Sequence, residues 1–595
     1  MDQRNLILAI VLSLAILLTF QFFVVEPNKV ATGDTNGQVA EQTTPAPQTG
    51  GSTAPTPPGA SGARGGAGGN ITANGEPGVL SRDQALATSA RVRIETPTLI
   101  GSIALTGGRV DDLILSEYRE TIKPDSPNIM LLSPPGSENP YFTDFGWSSV
   151  TPDMDLPNGD TVWKTNSTVL TPDRPVTLSW DNGSGLRFER TYEIDDNYMF
   201  RVSQRVVNSS DKAVSLAPYG LISRTGTPKT LGFYILHEGL LGVFDDTLKE
   251  VKYKKIKEDA RIEQKTTGGW IGITDKYWLV ALVPDQKKTV GTRFLYDAAS
   301  GTDKYQTDFL YDALSVPSGG SAETTSRFFA GAKKVKLLDD YRDRLGIARF
   351  DLAVDFGWFY FLTKPLFYAL HYIAQKVGNF GIAILILTVG VKLAFFPLAN
   401  KSYASMAKMR RLQPQMTELR ERYKDDKQRL NQEMAALYKK EGANPISGCL
   451  PIVIQIPVFF SLYKVMFVTI EMRQAPFFGW IQDLSVPDPT SIVNGFGLLP
   501  WMVPSLGPLD IINIGVWPLL MGLTMFLQQR LNPQPPDPIQ AKIFMFMPII
   551  FTFLLARFPA GLVIYWTWNN LLSMSQQYVI MRRVGMPVGR KAKNT

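Results

Sequence analysis

Cysteine, histidine and phosphate-binding loops are almost or wholly missing from this chain. One cysteine, Cys449, and two histidines, His237 and His371, occur in 595 residues. A single cysteine makes no intrachain disulfide, and so few soft ligands exclude a His/Cys metal site. Histidine-based acid–base catalysis would rest on those two residues alone. His371 sits in an aromatic-rich stretch that suits an interface better than an active site. Neither a Walker-type loop nor a dinucleotide fingerprint is present. No catalytic residue, cofactor or metal is therefore expected. Charge is sparse too: charged residues are 19% of the chain against 44% hydrophobic, with a net charge of +7. Basic residues beside membrane spans mark the cytoplasmic side, so this balance does not call for DNA as a partner.

What the chain has is long apolar runs, at its start and in its last third, around a polar middle. That is the layout of a membrane protein with one large soluble insert. Residues 6–25 read as a retained anchor, with a cleaved signal as the alternative. Residues 31–80 are rich in Gly, Pro, Ala, Thr and Ser and read as a flexible tether. From about 91 to 336 short alternating segments are split by Gly, Asn, Asp and Pro. LRFERTYEI at 186–194 alternates apolar and polar, and 271–283 reads as two strands turning near Asp275. Period-two alternation at this spacing predicts an antiparallel sandwich. It serves either as a binding module for peptide or sugar, or as a folded spacer.

Residues 379–398, NFGIAILILTVGVKLAFFPL, match the length of about 20 apolar residues that a membrane-spanning helix needs. Lys392 breaks the pattern. A cation at the bilayer centre costs about 2.5–3.5 kcal/mol on insertion scales. Its Cα lies ~9 Å inside the Leu398 end at ~1.5 Å per residue. Its stem can snorkel to the headgroups, or its ammonium can occupy a wet pocket between helices. The aromatic-rich 356–373, interrupted by Lys364-Pro365, reads as an interfacial helix. In 401–441 apolar residues recur at Leu412, Met416, Leu419 and Tyr423, then Leu430, Met434 and Leu437, in steps of four and three. This predicts an antiparallel helical hairpin turning at Asp425-Asp426, either a linker or a docking post. Further spans are expected at 449–469, where Lys464 can snorkel to the near end, and at 511–527. The run 543–580 is too long for one span, so Arg557-Phe-Pro-Ala-Gly561 is read as a turn between two.

The division that follows is an anchor at 1–25, a linker at 26–90, a β-sandwich at 91–345 and an interfacial helix region at 346–378. A transmembrane helix at 379–398, a coiled-coil hairpin at 399–447, transmembrane helices within 448–580 and a basic tail at 581–595 complete it. Lysine and arginine near the membrane gather in hairpin and tail. Positive-inside logic places both in the cytoplasm, with six spans, both termini inside and the sandwich outside.

Several stretches together resemble the YidC/Oxa/Alb family of membrane protein insertases: 408–463 from KMRRLQPQM to VFFSLY, EMRQAPF at 471–477, WIQDLSVPDP at 480–489, and FPAGLVIYW at 558–566 with the following Gln576-Gln577. The likeness covers about 355–585, and the outer domain is similar to the form found in Gram-negative bacteria. It implies an α-helical membrane protein of six transmembrane helices with a five-helix insertase core, an all-β periplasmic supersandwich and a cytoplasmic helical hairpin. It also implies a hydrophilic groove open to cytoplasm and lipid. Relatives usually carry arginine where this chain has Lys392, which keeps the charge and loses the bidentate fork. Thr388, Gln455 and Tyr565 match groove positions, as does Trp566 where relatives often have tyrosine. Phe459 and Phe551 match an apolar slide for the substrate helix. The implied function is insertion and folding of nascent membrane proteins in the bacterial inner membrane, alone or with the Sec translocon. Hairpin and tail would meet the ribosome. The alternatives are a small-anion transporter and a membrane-anchored sugar-binding protein acting through the sandwich.

Overall fold

The computed structural model describes residues 79–149, 151, 154–232, 236–299, 301–442, 450–499, 512–532 and 538–583. The expected anchor, most of the linker, Cys449, the Pro-rich residues 533–537 and the tail beyond 583 lie outside those residues.

Alternation builds the first half. In Leu186–Ile194 every second side chain is buried: Leu186, Phe188, Arg190, Tyr192 and Ile194. The next strand, Met199–Asn208, pairs antiparallel with it and with Ser321–Ala332, so that Val202 faces Tyr192 on one side and Ser326 on the other. The described strands form an eleven-stranded and a nine-stranded sheet. Trp270–Thr274 and Trp278–Val283 are an antiparallel hairpin closed by Asp275, whose N–H donates to the Trp278 carbonyl at 2.9 Å. One pair departs from the expected pattern: Arg93 and Val169 lie on parallel strands. Aromatic side chains fill the interior, with Phe200 stacked on Phe328 at 4.3 Å. Arg190 points inward among them. It donates to the carbonyl oxygens of Gly108, at 2.7 Å, and Phe145, lies 3.3 Å from Asp144 and stacks on Trp163. A buried cation needs such partners.

Helix α1 (Val335–Leu345) leaves the last strand. Its N-cap, Lys334, makes no side-chain cap, and the acceptor comes from far along the chain: the Val335 N–H donates to Glu471 Oε1 at 3.3 Å. Helix α2 (Tyr360–Val377) is tied to α1 by a compact ionic cluster. Lys364 Nζ reaches Asp339 at 2.6 Å and Asp351 at 2.8 Å, while Arg342 lies 3.2 Å from both. The hydroxyls of Tyr368 and Tyr360 donate to Asp339 and Asp351 respectively. Helix α2 runs on through Pro365, which has no N–H to give to the helical ladder.

Gly378, left-handed, ends α2, and Asn379 caps α3 (Phe380–Ala394) by accepting from the Ile382 N–H at 3.0 Å. The apolar run does not continue straight to Leu398. It breaks at Phe395, and α4 (Phe396–Arg422) leaves at 66°. Pro397, in the first turn of α4, has no N–H to give to the preceding helix. The hairpin arm is thus continuous with the end of the expected span. After Asp426, which caps it, α5 (Lys427–Lys440) returns, and Leu412 and Met416 pack against Met434, Leu437 and Tyr438.

Helices α6 (Leu450–Val468), α7 (Val516–Leu531), α8 (Pro538–Leu555) and α9 (Ala560–Arg583) follow. The chain does turn between α8 and α9. Lys464, expected to snorkel, ends in an ion pair with Asp355 at 2.7 Å. Helix α9 is central, touching α3, α4, α6 and α7. Among the described residues no single helix is long and apolar enough to cross a membrane, whereas α3 and α4 meet that test as one bent pair.

Candidate functional site

Helix α9 carries polar side chains at four-residue spacing: Tyr565, Asn569, Ser573 and Gln577, all buried. This spacing stacks them on one face. Their neighbours supply partners. Gln577 Nε2 donates to the Leu531 carbonyl at 3.2 Å, and Asn570 Nδ2 to Thr524 Oγ1 at 3.2 Å.

Lys392 of α3 meets this ridge. Its ammonium donates to Ser573 Oγ at 2.8 Å and, at a longer 3.5 Å, to Gln455 Oε1 of α6. Ser573 passes its own proton to the Asn569 carbonyl at 2.7 Å. The Gln455 amide donates in turn to the Tyr565 hydroxyl at 2.8 Å. Three helices are thus joined through one cation and one amide. Among the described residues no carboxylate pairs with Lys392. Its positive charge is met by neutral dipoles alone, which leaves it available to an anionic group.

A cavity of about 310 Å³ adjoins this cluster, lined from α3, α4, α6, α7 and α9. Lys392, Gln455, Asn569, Asn570, Ser573 and Gln576 are among its polar lining residues, and Phe395, Ile456, Phe459, Met525 and Trp566 among its apolar ones. Asn569 Oδ1 is buried without a protein partner. Such an atom is costly in a dry interior and favourable beside water. The lining therefore offers partners to a polar segment and contact surface to an apolar helix.

The sequence-expected residues fall into two groups. Lys392, Gln455, Phe459 and Trp566 line the cavity. Tyr565 lies behind it, 2% exposed, and supports Gln455. Thr388 is also 2% exposed; it returns its hydroxyl to the Ile384 carbonyl at 2.6 Å and is not in the lining. Phe459 and Phe551 flank Trp566, with centroids at 4.5 and 5.9 Å. Tyr403, Gln528 and Asn532 also line the cavity and escape sequence reading. Tyr403 sits on α4 and the other two on α7 and its C-cap, and only packing brings the two helices together. Asn569 and Ser573 had a readable signal, as polar residues at four-residue spacing from Tyr565 within the apolar run 543–580.

A family model described as "YidC periplasmic domain" matches residues 91–369, and one described as "60Kd inner membrane protein" matches 372–586. The protein named "Membrane protein insertase YidC" of Methylorubrum extorquens (strain PA1) is 51% identical over 607 residues, spanning 99% of this chain and 96% of its own. The chain belongs to the YidC family of membrane protein insertases. A second member, from Granulibacter bethesdensis, is 49% identical over 100% of both chains. A solved structure titled "Active YidC insertase crystal structure with the first transmembrane domain resolved" aligns with 82% of this chain and 92% of its own. Its TM-score is 0.34 at 17% identity, a likeness that carries no argument. The family likeness thus spans the β-sheet region and the helical region together.

Proposed function

We propose that this chain inserts nascent membrane proteins into the inner membrane, using the cavity beside Lys392 as a polar way-station. The observation that carries the reading is the Lys392 ammonium, bonded to Ser573 at 2.8 Å and unpaired by any described carboxylate, beside a cavity lined by both polar and apolar side chains. A hydrophobic helix arriving with an acidic flank has opposite needs at its two parts. The flank meets a cation, amides and water instead of bare lipid, where an unpaired polar group costs several kcal/mol. The apolar part lies along Phe459, Trp566 and Phe551 and leaves sideways into lipid, driven by burial at ~25 cal/mol per Å². No nucleotide is hydrolysed.

In this reading the sandwich is periplasmic, and hairpin and basic tail are cytoplasmic, where the tail and hairpin cations face anionic ribosomal RNA. The expected six spans include the N-terminal run at 6–25. The Sec translocon is a partner for clients too complex for the cavity alone. The deciding experiment compares Lys392→Glu with Lys392→Arg in an insertion assay. Lys392→Arg is expected to insert acidic-tailed clients as the unaltered protein does, and Lys392→Glu to lose most of that activity. Equal activity of both variants would remove the charge from the mechanism. Deleting residues 91–320 separates this reading from a sugar-binding role: insertion persists in large part if the helices do the work.

A further inference from the structure

We propose that a cleft between α7 and α8, separate from the cavity that Lys392 lines, binds the headgroup of an anionic membrane phospholipid. The inference rests on the reading that these helices lie in a bilayer. The cleft holds about 330 Å³ and is lined by Phe526, Gln529, Arg530, Ala541, Lys542 and Met545. It sits where α7 ends and α8 begins. Gln529 Nε2 donates to the Phe544 carbonyl and ties the two helices there. Arg530 lies over the Phe526 ring, 4.6 Å from its centroid. Arg530 and Lys542 are both exposed, and neither has an ion-pair partner among the described residues.

What lies beyond the cations identifies the ligand. Leu523 and Leu527 precede Arg530 by seven and three residues, and Met545 and Ile549 follow Lys542 by three and seven. Steps of three and four keep each set on one helix face. The four apolar side chains are 45–53% exposed. Each helix thus shows a cation at the end and an apolar row leading away from it. An anionic headgroup with acyl chains complements both parts at once. RNA would satisfy the cations and leave the rows bare. Basic pockets between helices at the cytoplasmic end are a recurrent form of acidic-lipid site.

The test uses the full chain in phosphatidylcholine vesicles carrying a minor fraction of phosphatidylglycerol, with each lipid spin-labelled in turn. The immobilised fraction reports the preference for phosphatidylglycerol. In the double variant Arg530→Gln/Lys542→Gln that preference is expected to fall by about fivefold for each cation removed. Arg530→Lys/Lys542→Arg keeps it, as does Arg582→Gln/Arg583→Gln, which neutralises an exposed pair at the end of α9. An unchanged preference in the first variant overturns the site. An equal loss in the α9 variant overturns it too, since diffuse charge would then suffice. Loss of ribosome co-flotation with the lipid preference intact would reassign the cleft to RNA. Alkaline extraction of the protein from the vesicles would sink the membrane reading itself, whereas integrated protein without preference sinks only the site.

Discussion

Gln455 shows how one side chain holds a polar cluster together. Its oxygen accepts from Lys392 and its nitrogen donates to Tyr565. Gln455→Leu should lower stability by about 1–3 kcal/mol, since the buried Tyr565 hydroxyl loses its donor. Thermal unfolding in detergent measures it. Glu471 acts at the other end of α6. Burial pushes its carboxyl up to about 7 from the ordinary 4.5, against the lowering effect of the Val335 N–H, Lys334 and Lys336. A raised folded value means that its contribution is complete below about 4.5 and is lost as pH rises through about 7. Tyr118 faces it as well, and its phenol is neutral across that range. The unaltered chain should therefore lose stability between about pH 5 and 8 more steeply than Glu471→Gln, as parallel melting curves would show. Lys392 and Gln455 were legible in the sequence as polar residues in apolar runs. Glu471 was not, because its partner is a backbone N–H 136 residues away.

Among elements, close approach decides the geometry. A Cβ placed on Gly522 of α7 would lie 2.0 Å from Thr552 Oγ1 of α8. That hydroxyl is held by the Pro548 carbonyl at 2.8 Å and has little room to move. Gly522→Val should push the two helices apart at a cost of about 1–3 kcal/mol, read as a lower melting temperature. Close contact through small residues is how helices associate where lipid removes the hydrophobic drive. The bend between α3 and α4 has the same local character: Pro397 could be seen in the sequence, but not the 66° angle it accompanies. Periodicity finds helices and strands because side-chain spacing is a local property. It does not report how far one element turns from the next.

At the scale of the whole molecule, sandwich and helices are joined by polar contacts. Lys364 is shared by Asp339 and Asp351, and Arg473 and Gln474 donate to carbonyls at Glu120 and Arg119. Lys364→Met leaves two buried carboxylates with Arg342 as their remaining cation, at a cost of about 3 kcal/mol. Protease protection of the junction, compared between the variant and the unaltered chain, should fall. The ionic cluster ties α2 to α1 on the sandwich side, while Glu471, Arg473 and Gln474 tie the segment after α6 to the same side. The sandwich is therefore held to the helices by more than its covalent link.

The order of apolar runs and alternating segments by itself determined an all-β domain followed by a helical region, because burial follows spacing along the chain. The same local pattern marked Lys392 as out of place. Only the tertiary structure decided what the lysine meets. Ser573 lies 181 residues from it, and no spacing rule connects two helices across that distance. It also decided what receives Arg190, a cation that falls on the inward beat of an alternating strand. Backbone carbonyls and Asp144 were there to receive it, and partners of that kind exist only once the chain has folded.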